Sequence, residues 1–217
     1  MREFSKLSAL LAICLAVSPA AVAEEAECLE EVRALWADGG PFDAYQRPPH
    51  RNTNTMYDAA GNVTRVFDSI IETPLRTMAG IEGTHMTLAI DNRIWTGPGS
   101  EGPWTPQPDM EGDRRAGHAE DRAQRQANTT DAACHGMVEH EGATYLSYGF
   151  TTRTDPSEAT GGTWFGSTDT VYIDPETRQV MIWEMGNFVY SWAPEPNGER
   201  HVIVFEYDPA IKVNPPE

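Results

Sequence analysis

Residues 172–185 read YIDPETRQVMIWEM, and their reading decides the fold. Tyr172 and Ile173 end a β-branched run, and Asp174-Pro175-Glu176-Thr177 supplies turn chemistry. From Gln179 the side chains then alternate with a period of two. Met181, Trp183 and Met185 fall on one face, with Val180 and Ile182 on the other. After a shift at Gly186-Asn187, Phe188, Tyr190 and Trp192 continue the alternation. A strand, a tight turn and a second strand predict an antiparallel pair.

Working outward, the same pattern recurs. Residues 199–207 form a last strand with Ile203, Phe205 and Tyr207 on one face and Val202 and Val204 on the other. Residues 144–152 and 163–173 read as strands before the quoted stretch. Residues 53–57, 63–73, 85–90 and 93–96 read as strands earlier still, with Asp91-Asn92 as a hairpin turn. No strand–helix–strand alternation points to a parallel sheet.

Before these strands the period changes. Cys28, Val32, Leu35 and Trp36 stand at i, i+4, i+7 and i+8, one face of a helix that begins near Glu24 and stops at Gly39-Gly40-Pro41. The fold class expected is α+β: an amino-terminal helix packed on an antiparallel meander of about seven to nine strands. Residues 24–217 form one domain with a polar insertion at about 106–131. That insertion carries only Ala116, Ala119, Ala123 and Ala127 at helical spacing, so any helix in it buries little. It reads either as a solvated, disordered segment or as a lid over the sheet.

The amino terminus reads as a signal peptide. Arg2 and Lys6 precede an apolar run over residues 7–17, and Ala21 and Ala23 place cleavage after Ala23, at the boundary of segment 1–23. Cys14 follows the bulky Ile13, which is wrong for lipidation. No later stretch is long and apolar enough to span a bilayer. The expected location is the periplasm. Cys28 and Cys134 then remain, and in an oxidising compartment they most simply form one disulfide, with free thiols or a metal pair as alternatives.

Composition excludes some partners. The 217 residues carry 16 Lys plus Arg against 33 Asp plus Glu, a formal charge of −17. Such a chain repels nucleic acid and anionic membrane surfaces. Among the six histidines, His135 and His140 beside Cys134 are the densest group, but no zinc-ligand spacing occurs, and neither a metal nor a cofactor is expected. No nucleophile elbow, P-loop or dinucleotide fingerprint is present. Gly166-Ser167-Thr168-Asp169 reads as a turn-like run, and no catalytic residue is nominated.

Two stretches, YIDPETRQVMIWEM (172–185) and FEYDPAIKVNPP (205–216), together with Arg93-Ile94-Trp95 and Trp104, resemble the LolA/LolB-like class of exported bacterial proteins. The resemblance implies a strongly curved, incompletely closed antiparallel sheet around helices, whose apolar concavity accepts acyl chains or other lipids. The polar insertion, the cysteine pair and the single clear helix depart from the pattern. Two readings of function follow. One is a monomeric, non-catalytic periplasmic protein that binds or carries a lipid or a lipoprotein acyl chain. The other is an envelope interaction or scaffold protein without a small-molecule ligand. On the first reading Met181, Trp183, Met185, Phe188, Tyr190, Trp192, Ile203, Phe205 and Tyr207 are the candidate ligand-binding residues, because one short helix cannot cover strands apolar on both faces. Core packing is the ordinary alternative for the same stripes.

Overall fold

Helix α1, Pro19–Leu35, forms where the apolar stripe predicts it. Cys28, Val32, Leu35 and Trp36 are all buried, while the glutamates around them face solvent. Phe42 N–H donates to the Leu35 carbonyl, which folds the chain back over the helix end. Gly40 makes that return possible, since a Cβ there would lie 2.5 Å from the Leu35 carbonyl oxygen. In this computed structural model residues 19–156 and 161–216 are described, with side chains from residue 24 onward. The expected signal peptide therefore lies almost wholly outside the described residues.

Eleven strands follow. They are β1 (His50–Tyr57), β2 (Val63–Thr73), β3 (Arg76–Ile81), β4 (His85–Ile90), β5 (Arg93–Gly97) and β6 (Thr105–Gln107), then β7 (Thr130–His140), β8 (Ala143–Arg153), β9 (Phe165–Ile173), β10 (Val180–Tyr190) and β11 (Arg200–Tyr207). They make one open sheet in the order β6-β5-β4-β3-β2-β1-β11-β10-β9-β8-β7. Every neighbouring pair is antiparallel. The sheet is thus two meanders joined along β1 and β11, from His50↔Tyr207 to Tyr57↔Arg200.

The count exceeds the seven to nine strands expected. The short β3 and β6 and the polar β7 lack the apolar alternation by which the other strands are recognised. Within 106–131 a second helix forms, α2 (Arg114–Ala127), over the alanines at helical spacing, where the sequence offers either a disordered segment or a lid with at most a marginal helix. The topology explains its place: β6 and β7 are opposite edges of the sheet, and α2 lies in the crossover between them. The alanines of α2 are exposed; its buried residue is Arg125. Asp113 caps it, accepting from the N–H groups of Arg115 and Ala116.

Register sorts the side chains onto two faces. Tyr207, His50, Ile71, Thr77 and Ala89 stand in one row across five strands, on the side of the helices. There α1, Trp36 and Phe42 pack on Tyr148, Phe150, Val171, Ile173, Val180 and Phe205. Val180 belongs to this core although the sequence pattern put it opposite Trp183, because the register shifts between Val180 and Ile182. On the other face Leu88, Ile90 and Trp95 are covered by Val213 of the carboxy-terminal tail, with Ile70, Met78 and Trp104 around them. Glu72 fastens that tail, accepting from Val213 N–H at 2.9 Å and Lys212 Nζ at 3.2 Å. The tail therefore covers β4 and β5 on this face, while the helix-side core lies against β8 to β11 on the opposite face.

Cys28 and Cys134 are joined in a disulfide, with Cα atoms 5.7 Å apart. The bond ties α1 to edge strand β7. The turn at 174–177 forms as its sequence predicts: Asp174 Oδ1 accepts from Glu176 N–H, Thr177 N–H and the Thr177 hydroxyl. Gly166-Ser167-Thr168-Asp169 lies inside β9, within the strand read over 163–173, and runs straight through without a turn.

Candidate binding cavity

A cavity of about 720 Å³ lies on the helix side of the sheet, between the chain that leaves α1, helix α2 and strands β1 to β3. Its floor includes His50, Ile71 and Thr77, neighbours in one row of the sheet. Trp36, Phe42 and Tyr45 supply aromatic wall, and Pro74 adds apolar surface. Arg114, Arg115, His118, Ala119 and Arg122 enter from α2.

Polar groups hold the wall in place. Asp43 accepts from the N–H groups of Gly39 and Tyr45, each at 3.1 Å, and pairs with Arg122 Nη1 at 2.8 Å. Burial alone would raise the Asp43 carboxyl, but these donors overcome it and hold it below the usual carboxylate range. Arg122 also pairs with Asp38, so this guanidinium bridges two carboxylates of the loop to α2. Arg114 donates to the carbonyls of Pro74, at 3.1 Å, and of Asp91, which ties the start of α2 to the far meander. Tyr45 stands between Arg115, whose guanidinium lies 4.0 Å from the ring centroid, and His118, bonded to the Tyr45 hydroxyl through Nδ1 at 3.0 Å. Burial, and then the charge of Arg114, lower the His118 pKa.

His50 is 2% exposed. Its Nδ1 lies 2.8 Å from the Pro48 carbonyl, which can only accept, so Nδ1 carries the hydrogen and Nε2 the lone pair. Burial, reinforced by the nearby Arg47 charge, lowers its pKa and keeps the ring neutral. Nε2 has no hydrogen-bond partner among the described residues, nor has Trp36 Nε1. Arg47 donates through Nε to the Pro41 carbonyl at 3.0 Å and lies 5.6 Å over the Phe205 ring. Burial lowers its pKa as well.

None of the nine residues nominated from sequence lines this cavity. Trp183 stands one layer behind, 4.8 Å from Phe42 and 5.9 Å from Trp36 between ring centroids, and donates its Nε1–H to Asp169 at 2.9 Å. Phe205 and Tyr207 flank His50 at 5.6 and 5.4 Å, and Ile203 packs against the same core. The Tyr207 hydroxyl donates to the Val180 carbonyl at 2.8 Å. Phe188 is buried against His201. Tyr190 and Trp192 stack at 5.0 Å and line a separate hollow of about 320 Å³ with Trp164, Phe165 and α2. Met181 and Met185 are half-buried and line neither space. Of the nominated stripe, Trp183, Ile203, Phe205 and Tyr207 thus pack behind the cavity wall, and the other five lie away from it. The residues of the wall itself were missed, although Arg47-Pro48-Pro49-His50 and Arg114-Arg115 are the unusual basic spots in so acidic a chain.

Among the described residues no group of three or more His, Cys, Asp or Glu could hold a metal ion. No helix among them is long and apolar enough to cross a membrane.

No protein-family model and no curated protein matches this chain. Solved structures do. LprF from Mycobacterium bovis is similar over 89% of this chain and 97% of its own, at 10% identity and a TM-score of 0.50. The chain shares the fold of LprF. The lipoprotein LppX from Mycobacterium tuberculosis is similar over 88% of this chain and all of its own, at 12% identity and a TM-score of 0.49. A LolA-superfamily protein from Nitrosomonas europaea covers 81% of this chain and 90% of its own, at 9% identity and a TM-score of 0.30. At these identities the likeness speaks of fold alone.

Proposed function

We propose that this chain is an exported, non-catalytic protein that binds or carries an apolar ligand, such as a lipid or a lipoprotein acyl chain. The observation that carries the reading is the 720 Å³ cavity between the helices and an open sheet. Its size falls within the roughly 300–1,000 Å³ of pockets that enclose one small molecule. Trp36, Phe42, Tyr45, Ile71 and Pro74 give it apolar wall. The resemblance of residues 172–185 and 205–216 to the LolA/LolB-like class supports the same reading by analogy, and the signal-like residues 1–23 support the periplasm as the place of action.

Organic extraction of freshly purified protein, followed by mass spectrometry, tests the proposal. A lipid recovered in stoichiometric amount supports it. Recovery of none, with no binding of a fluorescent fatty-acid probe, refutes it. The scaffold reading draws on a different observation: Trp192 is 69% exposed and stacks on Tyr190 at the sheet end. On that reading Trp192→Ala weakens a protein contact and leaves probe binding unchanged.

A further inference from the structure

The cavity wall carries more positive charge than the loop and helix around it neutralise. Four arginines, Arg47, Arg114, Arg115 and Arg122, line the cavity against three aspartates, Asp38, Asp43 and Asp121. Arg122 pairs with both Asp38 and Asp43, and Asp121 is held by Arg125 from behind. Arg47, which feels the Asp43 charge, Arg114 and Arg115 form no ion pair of their own among the described residues. Arg114 spends its donors on two carbonyls, Arg47 spends only Nε, and Arg115 rests on the Tyr45 ring. In a chain of charge −17 this collection is not a sample of the average surface.

Building on the apolar-ligand reading, we propose that the cavity takes a single-chain anionic amphiphile, with a carboxylate or phosphate head held by Arg47, Arg114 and Arg115. A guanidinium offers paired N–H donors that match either head, and the match is strongest where water is excluded. The alkyl chain lies along Trp36, Phe42 and Ile71. A cavity of about 720 Å³ suits one chain and head better than a lipid with several long chains. The acidic exterior then discourages anionic surfaces while the site itself attracts an anion, which gives selectivity for a free or presented molecule over a membrane face.

The test is a titration, by intrinsic tryptophan fluorescence and by calorimetry, with dodecanoate, dodecyl phosphate, dodecanol and dodecylammonium below their micelle concentrations. Both anions are expected to bind about tenfold or more tighter than the alcohol, with dodecylammonium weakest. The tighter of the two anions identifies the preferred head. In Arg115→Gln, an exposed position where folding is not at stake, and in Arg47→Gln, the gap between anion and alcohol narrows to about threefold, while Arg47→Lys keeps more of it. Alcohol binding as tight as anion binding, or an anion preference unchanged in both glutamine variants, overturns the head-group proposal and leaves the apolar-ligand reading standing. Binding of none of the four overturns both.

Discussion

Asp169 is 1% exposed in the middle of β9, accepting from the Ser167 hydroxyl and from Trp183 Nε1–H, with the charge of Arg125 nearby. Burial outweighs these donors and pushes its pKa from 3.8 up to about 6. The folded chain therefore holds this proton more tightly than the unfolded chain does. Stability from this group is fully present below pH 3.8 and is lost as pH rises through about 6, by up to about 3 kcal/mol. Glu72 runs the other way: the Val213 N–H first, then Lys212 and Arg76, lower it to about 2, so its contribution is lost only as pH falls below 4.5 toward 2. Between pH 4.5 and 7, Asp169→Asn should flatten the rise in urea midpoint that wild type shows on acidification; an unchanged slope contradicts the assignment. Phe150, 1% exposed, backs the cavity through Trp36 and Phe42 at 6.1 and 5.9 Å. Phe150→Ala should cost about 3–5 kcal/mol in equilibrium unfolding. At this scale the sequence is legible where it is apolar: Phe205 and Tyr207 are recognisable as inward. It is silent on His50 and Arg47, whose importance comes from what the β1–β11 pairing sets beside them.

Helix α1 could be read from its residues because it packs by an apolar stripe. Helix α2 could not, because it packs by polar anchors. Thr129 and Thr152 hydroxyls both donate to the Arg125 carbonyl, Gln126 Nε2 donates to the Arg33 carbonyl, and the Arg125 guanidinium lies 4.5 Å over the Phe165 ring. Apart from Thr129, these partners are distant in sequence, so no periodicity announces them. The same reason hides β7, whose residues pair with β8 but alternate no apolar face. Asp113→Ala should remove the α2 cap at a cost of about 1 kcal/mol. Amide exchange in α2 should quicken while β8 and β9 keep their protection; equal loss everywhere would mean that α2 is not a separate unit of stability. The Cys28–Cys134 bond joins α1 to β7 across 106 residues. Reduction should lower unfolding free energy by about 2–5 kcal/mol. Intact mass after alkylation without reductant should show neither cysteine modified, and two added alkyl groups would contradict the bond.

For the whole molecule, the antiparallel meander and the turn at 174–177 were written in local pattern, whereas the cavity was not. It arises from three parts distant in the chain: the loop after α1, the first three strands, and α2 returning over them as the crossover between opposite sheet edges. An apolar stripe in late strands points to a lined interior, yet Trp183, Ile203, Phe205 and Tyr207 of that stripe stand behind the wall rather than in it. On the proposed function, the open sheet, its covered faces and the basic patch within an acidic chain act together as a container for one amphiphile. The most direct measurement is stoichiometric titration of the wild-type protein with a fluorescent fatty-acid probe, beside Ala119→Trp, which fills the cavity from an exposed position of α2. The account predicts one probe per wild-type chain, and affinity about tenfold weaker in Ala119→Trp with an unchanged unfolding midpoint. Equal affinity in the two proteins, or no saturable binding to the wild type, would contradict it.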